Sequence, residues 1–200
     1  MRIVLCSAAM IMVTTTATLA QGVDWTGAYG GISAATQTGT HSYDGGGPGD
    51  VYDLEGPAFG AFGGYMWASG NLVYGAEAAV SFGGVYEMTL DGATSWMDEY
   101  EYDRFFDLKG RLGYAAGNFL VYGTLGVSRT VFQSDIDGDD PLNINTNGLI
   151  YGLGADYKVT ERYFVGAEYL RRNYDFFDSG QDVDIGSEIN TFTLRVGLKF

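Results

Sequence analysis

The last eleven residues, Asn190 to Phe200, alternate with strict period two. Phe192, Leu194, Val196, Leu198 and Phe200 share one face, while Thr191, Thr193, Arg195, Gly197 and Lys199 share the other. This predicts a strand with one wholly apolar side and one polar, cationic side. If the apolar side meets lipid, a one-residue slip would aim Arg195 into hydrocarbon near mid-bilayer. That costs about 2–4 kcal/mol, so the pattern also fixes the register.

Seven further strands precede it. The first covers Asp24 to Ala35, its facing ambiguous because small residues occupy both sides; Trp25 is expected at the membrane-water boundary. A polar, Gly-rich loop, about Gly39 to Leu54, leads to strand two, Glu55 to Ala68, with Phe59, Ala61, Gly63, Tyr65 and Trp67 outward. The turn Ser69-Gly70-Asn71 opens strand three, where Leu72, Tyr74, Ala76, Ala78, Val80 and Phe82 face out and Val73, Glu77 and Ser81 face in. After a polar loop, Gly84 to Tyr102, strand four sets Phe106, Leu108, Gly110, Leu112 and Tyr114 against Phe105, Asp107, Lys109, Arg111 and Gly113. The turn ending in Gly117-Asn118 leads to strand five, Phe119 to Thr130. Then come an acidic loop, Val131 to Asn145, and strand six, Thr146 to Lys158. A third short turn, Val159-Thr160-Glu161, opens strand seven, Arg162 to Tyr174, with Glu168 inward, and a last loop spans Asp175 to Ser187.

Long loops therefore alternate with short turns around an even number of strands. The fold expected is all-β: an eight-stranded antiparallel up-and-down transmembrane β-barrel, with termini and short turns in the periplasm and long loops outside the cell. A soluble barrel of this size would be apolar inside and charged outside. Here the strand charges lie opposite the long apolar side chains, so the inside-out arrangement is preferred.

Composition agrees. In 200 residues there are 31 glycines but only 3 prolines, and no apolar run is long enough for a membrane-spanning helix, so strands must do the spanning. The 25 acidic residues outnumber 11 Lys and Arg, a formal charge of −14 that argues against a nucleic-acid partner. Residues 1–20 read as a secretory signal peptide, with Arg2, an apolar stretch from Ile3 to Val13 and a cut after Ala20, leaving 21–200 as one barrel domain. Cys6, the single cysteine, falls inside that leader, so the mature chain is expected to lack thiol chemistry.

The mature chain resembles the small outer-membrane barrel family that includes the OmpA transmembrane domain, OmpX and the porin-like opacity proteins. The resemblance rests on Trp25-Thr26-Gly27-Ala28-Tyr29-Gly30-Gly31, Gly63-Gly64-Tyr65, Gly166-Ala167-Glu168-Tyr169 and Val196-Gly197-Leu198-Lys199-Phe200, in that order over residues 24 to 200. It implies a bacterial outer-membrane location, contact with outer-membrane lipid and lipopolysaccharide, and insertion by the barrel-assembly machinery. That machinery would read the C-terminal signal Phe192, Leu194, Val196, Leu198 and Phe200. Unlike full-length OmpA, the protein is expected to end at the barrel, without a periplasmic peptidoglycan-binding domain.

Four candidate sites follow. Glu77, Lys109, Arg111, Glu168 and Arg195 fall at similar heights inside, so Glu77 should pair with Lys109 or Arg111, and Glu168 with Arg195. They form either a structural polar core or a gate in a narrow ion path. The outer loops gather acids without Lys or Arg, and Asp135, Asp137, Asp139 and Asp140 alternate around Gly138 as a candidate divalent-cation site, although the full EF-hand pattern is absent. Tyr86, Trp96, Tyr100 and Tyr102 form a candidate loop binding patch for a surface ligand. His41, the lone histidine, with Ser42, Ser95 or Asp98 is the residue set for a lipid A-modifying enzyme, but no held triad is legible. The reading preferred is a monomeric, non-enzymatic barrel without a cofactor, acting in envelope integrity, adhesion or interaction through its acidic outer loops. A porin-like channel and a lipid A enzyme stand as alternatives.

Overall fold

The computed structural model describes residues 24–44, 50–83, 100–134, 142–178 and 183–200. Eight strands run in chain order: β1 Gly27–Asp44, β2 Asp50–Ser69, β3 Leu72–Phe82, β4 Tyr100–Ala116, β5 Phe119–Ser134, β6 Leu142–Lys158, β7 Tyr163–Asp178 and β8 Val183–Lys199. Each pairs antiparallel with its neighbours, and β1 pairs with β8 to close the barrel. Closure leaves no open sheet edge, which a strand structure in hydrocarbon requires.

The register fixes the geometry. Paired residues lead from Ala28 through Tyr65, Ala76, Gly110, Leu125, Tyr151, Arg171 and Asn190 back to β1 at Thr38, ten residues beyond the start. Eight strands with that stagger tilt by about 40° and enclose an interior just wide enough for side chains. Once this climb is allowed for, Trp67, Tyr74, Tyr114, Phe119, Tyr157 and Tyr163 fall at one level near the short turns. Trp67 stacks on Tyr74 at 5.8 Å, and Phe119 meets Tyr157 at 4.6 Å. Phe59, Phe82 and Phe106 mark the opposite level. The apolar belt between the two levels covers about nine residues of strand, roughly 20 Å along the barrel axis once the tilt is allowed for, close to the height of an outer-membrane apolar band.

The faces follow sequence parity. Leu108, Leu112, Val121, Leu125, Leu153 and Leu194 are exposed on the outside, while Glu77, Lys109, Arg111, Glu168 and Arg195 are buried. The three short connections are the expected ones. Gly70 and Gly117 each begin a two-residue loop at φ 62° and 61°, the left-handed conformation that tight primed hairpins need. In the third, the Thr160 hydroxyl accepts the Arg162 and Tyr163 amides at 3.2 and 3.0 Å.

The strands at the opposite end are longer than the alternation predicts. β1 and β2 pair as far as Tyr43 with Asp50, through most of the segment expected as the first loop, and β5 and β6 pair as far as Ser134 with Leu142. The last loop contracts likewise, with Asp178 paired to Val183. Beyond the belt no lipid selects apolar residues on alternate positions, so periodicity fades while the backbone ladder continues.

Trp25 also departs from expectation. It is 1% exposed inside the barrel mouth, with its indole N–H donating to the Gly117 carbonyl at 3.3 Å and the Lys158 ammonium 4.6 Å from its ring. It precedes β1, so strand alternation does not hold it on the outer face, and it folds under the opening. Asp24 beside it caps the Thr26 amide at 2.8 Å, and its carbonyl accepts from Lys199 at 2.6 Å and from Lys158. The Thr26 amide, aided by Lys199 and Lys158, holds the Asp24 carboxyl below the usual carboxylate range.

Candidate functional site

Inward-facing positions on all eight strands build a layered interior. At the short-turn end, Trp25, Tyr29, Met66, Val73, Leu120 and Phe164 form an apolar plug, a layer not anticipated from the sequence. Glycine makes room for it: an added Cβ would strike the Phe164 ring at Gly197 and the Tyr122 ring at Gly154.

Above the plug lies the ionic layer. Glu77 on β3 is its hub, receiving Lys109 at 2.9 Å, Arg111 at 3.2 Å, Arg195 at 2.5 Å and the Tyr29 hydroxyl at 2.9 Å. Arg195 is bidentate on it, with a second bond of 3.3 Å. Lys109 also reaches Glu168 at 2.8 Å, and Glu168 accepts the Thr124 hydroxyl at 3.2 Å. The five charged residues singled out from sequence thus lie in one cluster.

The pairing is wider than neighbouring strands allow. Glu77 and Lys109 face each other in register across β3 and β4, but Arg195 reaches Glu77 from β8 and Lys109 reaches Glu168 on β7, both across the barrel. The expected Glu168–Arg195 pair is the longer contact, 3.6 Å, because Arg195 directs its fork at Glu77. The tilted, narrow interior brings non-neighbouring strands within one side-chain length.

Three charged members were not assigned to the cluster from sequence. Asp156 on β6 takes Arg111 at 2.8 Å and lies 3.6 Å from Arg195. Asp107 and Arg172 pair at 2.6 Å one layer higher, where Asp107 also accepts the Ser128 hydroxyl at 2.6 Å and Arg172 donates to Thr191 at 2.6 Å. Parity was available as a signal, since all three face inward. Rings complete the cage: the Arg111 guanidinium lies 3.5 Å from the Tyr122 centroid and Arg195 lies 3.9 Å from Phe62. Above the mouth, four buried cations, Lys109, Arg111, Arg172 and Arg195, meet four carboxylates, Glu77, Asp107, Asp156 and Glu168. Beside them is a cavity of about 40 Å³ lined by Ser33, Ser81, Glu77, Lys109 and Arg172 among others, room for roughly one to three waters. Such a layer can stiffen a barrel or, by exchanging partners, pass ions.

The other candidates fall elsewhere. Asp135, Asp137, Asp139 and Asp140 lie outside the described residues, as do Tyr86, Trp96, Ser95 and Asp98. His41 and Ser42 lie on the outer part of β1, and Tyr100 and Tyr102 on the first turn of pairing in β4; their side chains are outside the described set. Phe192, Leu194, Val196 and Phe200 are exposed on the outer face of β8, with Leu198 half-buried beside them. Residues 1–23, including the expected leader, are outside the described residues.

The chain resembles known proteins in sequence and in fold. The family model described as outer membrane protein beta-barrel domain matches residues 6–200. A 22 kDa outer membrane protein of Rhizobium leguminosarum bv. viciae is 31% identical over 144 residues, a match covering 70% of this chain and 64% of that protein. The match thus spans a little under two thirds of that relative. Among solved structures, the outer membrane protein OprG from Pseudomonas aeruginosa superposes with a TM-score of 0.53 at 17% identity, covering 90% of this chain and 98% of that one, a likeness of fold. Ail, the attachment invasion locus protein of Yersinia pestis, gives a TM-score of 0.49 at 17% identity, covering 88% and 99%.

Proposed function

The chain belongs to the outer-membrane β-barrel protein family, and from that premise we propose that its work is structural: a closed, non-enzymatic barrel that supports the envelope and presents its long strand ends and outer loops at the cell surface. It resides in the bacterial outer membrane. The observation that carries this reading is the filled interior. An apolar plug closes one end, and a connected cluster of six charged groups with the Asp107–Arg172 pair one layer above it occupies the middle. A sealed barrel of this kind contributes stiffness and a fixed depth in the bilayer rather than a path. Planar-bilayer recording tests it: the purified protein should leave conductance at the protein-free baseline, and reproducible unitary steps would refute it.

A channel is the second reading, favoured by one feature of the cluster. Lys109 and Arg195 each contact both Glu77 and Glu168, so the same four groups admit more than one pairing. Under this reading Glu168→Ala or Arg195→Ala would alter unitary conductance.

Surface interaction is assigned to the loops. The aspartates at 135, 137, 139 and 140 would bind a divalent cation that bridges acidic loops to anionic glycolipid, which calcium calorimetry on the folded barrel tests. Tyr86, Trp96, Tyr100 and Tyr102 would offer stacking surfaces to a carbohydrate or protein ligand. A lipid A profile unchanged on expression would remove the enzyme built on His41. Pull-down of folding intermediates with the barrel-assembly machinery, comparing Phe200→Ser with the parent, tests the C-terminal signal.

A further inference from the structure

Glycines on the two faces of the wall differ in what holds them. At inward Gly75 and Gly126 an added Cβ would collide with the backbone of the adjacent strand. Outward Gly110 and Gly123 are under no such constraint, since a Cβ there meets nothing closer than Leu125 O at 3.6 Å or Leu112 O at 3.9 Å. Together with Ala76 they floor a groove of about 1020 Å³ on the outer surface of β3 to β7, walled by leucines and tyrosines. Its volume sits at the upper end of ordinary ligand sites.

The groove starts at Trp67 and Tyr74 in the lower aromatic level and ends upward at Arg171 on β7. Arg171 faces outward and pairs with exposed Glu188, while Tyr169 below it donates to Asn190 at 2.8 Å. Arg129 on β5 is exposed on the same outer surface, with β6 between them, and makes no ion pair among the described residues. The register places both arginines at the upper edge of the apolar belt, where lipid phosphates lie. Among the described residues, Arg129 and Arg171 bring two guanidinium forks to this flank of an apolar channel, against the single carboxylate of Glu188.

We propose that this groove binds one phosphate-bearing glycolipid of the outer leaflet. An acyl chain lies over Gly110 and Gly123, and the phosphate sits against Arg129 and Arg171, displacing part of the Arg171–Glu188 contact. A second copy of the chain fits less well. Two barrels of the same orientation meeting through this face would set Arg129 and Arg171 against their own duplicates at the same height. The proposal deepens the surface-facing reading above and rests on its placing the long strand ends in the outer leaflet. Surface proteolysis of intact cells reports that orientation separately.

The test is native mass spectrometry of the full chain, folded in a neutral detergent and titrated with bis-phosphorylated lipid A. One lipid should be retained per barrel, at least tenfold more tightly than dephosphorylated lipid A. Arg129→Gln with Arg171→Gln should remove most of that preference. Gly110→Leu with Gly123→Leu, which project into open groove and leave the interior untouched, should reduce retention of both lipids tenfold or more. Equal retention of the two lipids by the parent, or unchanged retention in both double variants, would overturn the proposal. So would a lipid-free dimer abolished by the glycine pair, which would assign the face to a second copy.

Discussion

Removing the Glu77 carboxylate is the sharpest test of the sealed ionic interior. Glu77 is 1% exposed and receives three cations and one hydroxyl. In Glu77→Ala, Lys109 keeps Glu168 at 2.8 Å and Arg111 keeps Asp156 at 2.8 Å, but Arg195 is left with contacts no shorter than 3.6 Å. The layer then carries one uncompensated buried cation. Breaking a buried pair in this way costs about 3–5 kcal/mol, because the orphaned charge stays desolvated. With a urea dependence of about 2 kcal/mol per molar, the unfolding midpoint should fall by roughly 1.5–2.5 M. Far-UV circular dichroism of the barrel in detergent or thin bilayers, with refolding from urea as the reversibility control, reads the shift. A companion variant separates charge from packing: Glu77→Gln with Lys109→Met removes one charge of each sign at similar volume. It should recover more than half of the loss. A Glu77→Ala midpoint within about 0.3 M of the parent would mean that water reaches Arg195 freely, and the account of a dry, balanced interior would fail. A double variant as weak as the summed single losses would place the effect in shape instead of charge.

Three further outcomes follow from the same geometry. Trp25→Ala should lower stability by about 3–5 kcal/mol and open the mouth; in a background with Trp67→Phe and Trp96→Phe, the remaining Trp25 emission should resist aqueous iodide, and ready quenching would contradict its buried placement. Leu194→Arg, which puts a cation on the outer face midway up the belt, should cost about 2–4 kcal/mol in bilayers, whereas Thr36→Arg, near the level of the native Arg171, should cost under about 1 kcal/mol. The Asp24 carboxyl is held below its ordinary range, so its contribution is present above that range and lost as pH falls through the lowered value. Protection of Trp25 from iodide should weaken on acidification in the parent, and an Asp24→Asn variant should show the weakened value already at neutral pH; identical acid profiles would refute the link.

What was legible in the sequence is what a lipid bilayer writes into it. Within the belt, hydrocarbon on one side and a narrow interior on the other force every residue to one face, so Leu194 and Arg195 could be assigned without coordinates. The same cause explains where legibility stopped. Above the belt neither face meets hydrocarbon, so the paired ends of β1 and β2 read as a loop, and below it Trp25 had no strand to fix its side. Parity also says which way a residue points but not whom it meets. Asp156 was visible as inward, yet its place under Arg111 depends on the ten-residue stagger and on a guanidinium arm long enough to bridge two strands. Ionic partners in a small barrel are thus chosen across the lumen as well as along the sheet, and pairing inferred from adjacent strands alone underestimates the connection. Glu77 shows the consequence: one carboxylate ties β3 to β4 and β8 at once, and with Glu168 and Asp156 its ion pairs link five of the eight strands, to which the Tyr29 and Thr124 hydroxyls add β1 and β5. Strand pairing closes the cylinder, but it does so through bonds that any eight-stranded sheet would make. The cross-lumen ions add a condition that only this register meets, since shifting β8 by two residues keeps its apolar face outward and yet removes Arg195 from Glu77. The buried charges therefore select the register among those that lipid alone would accept.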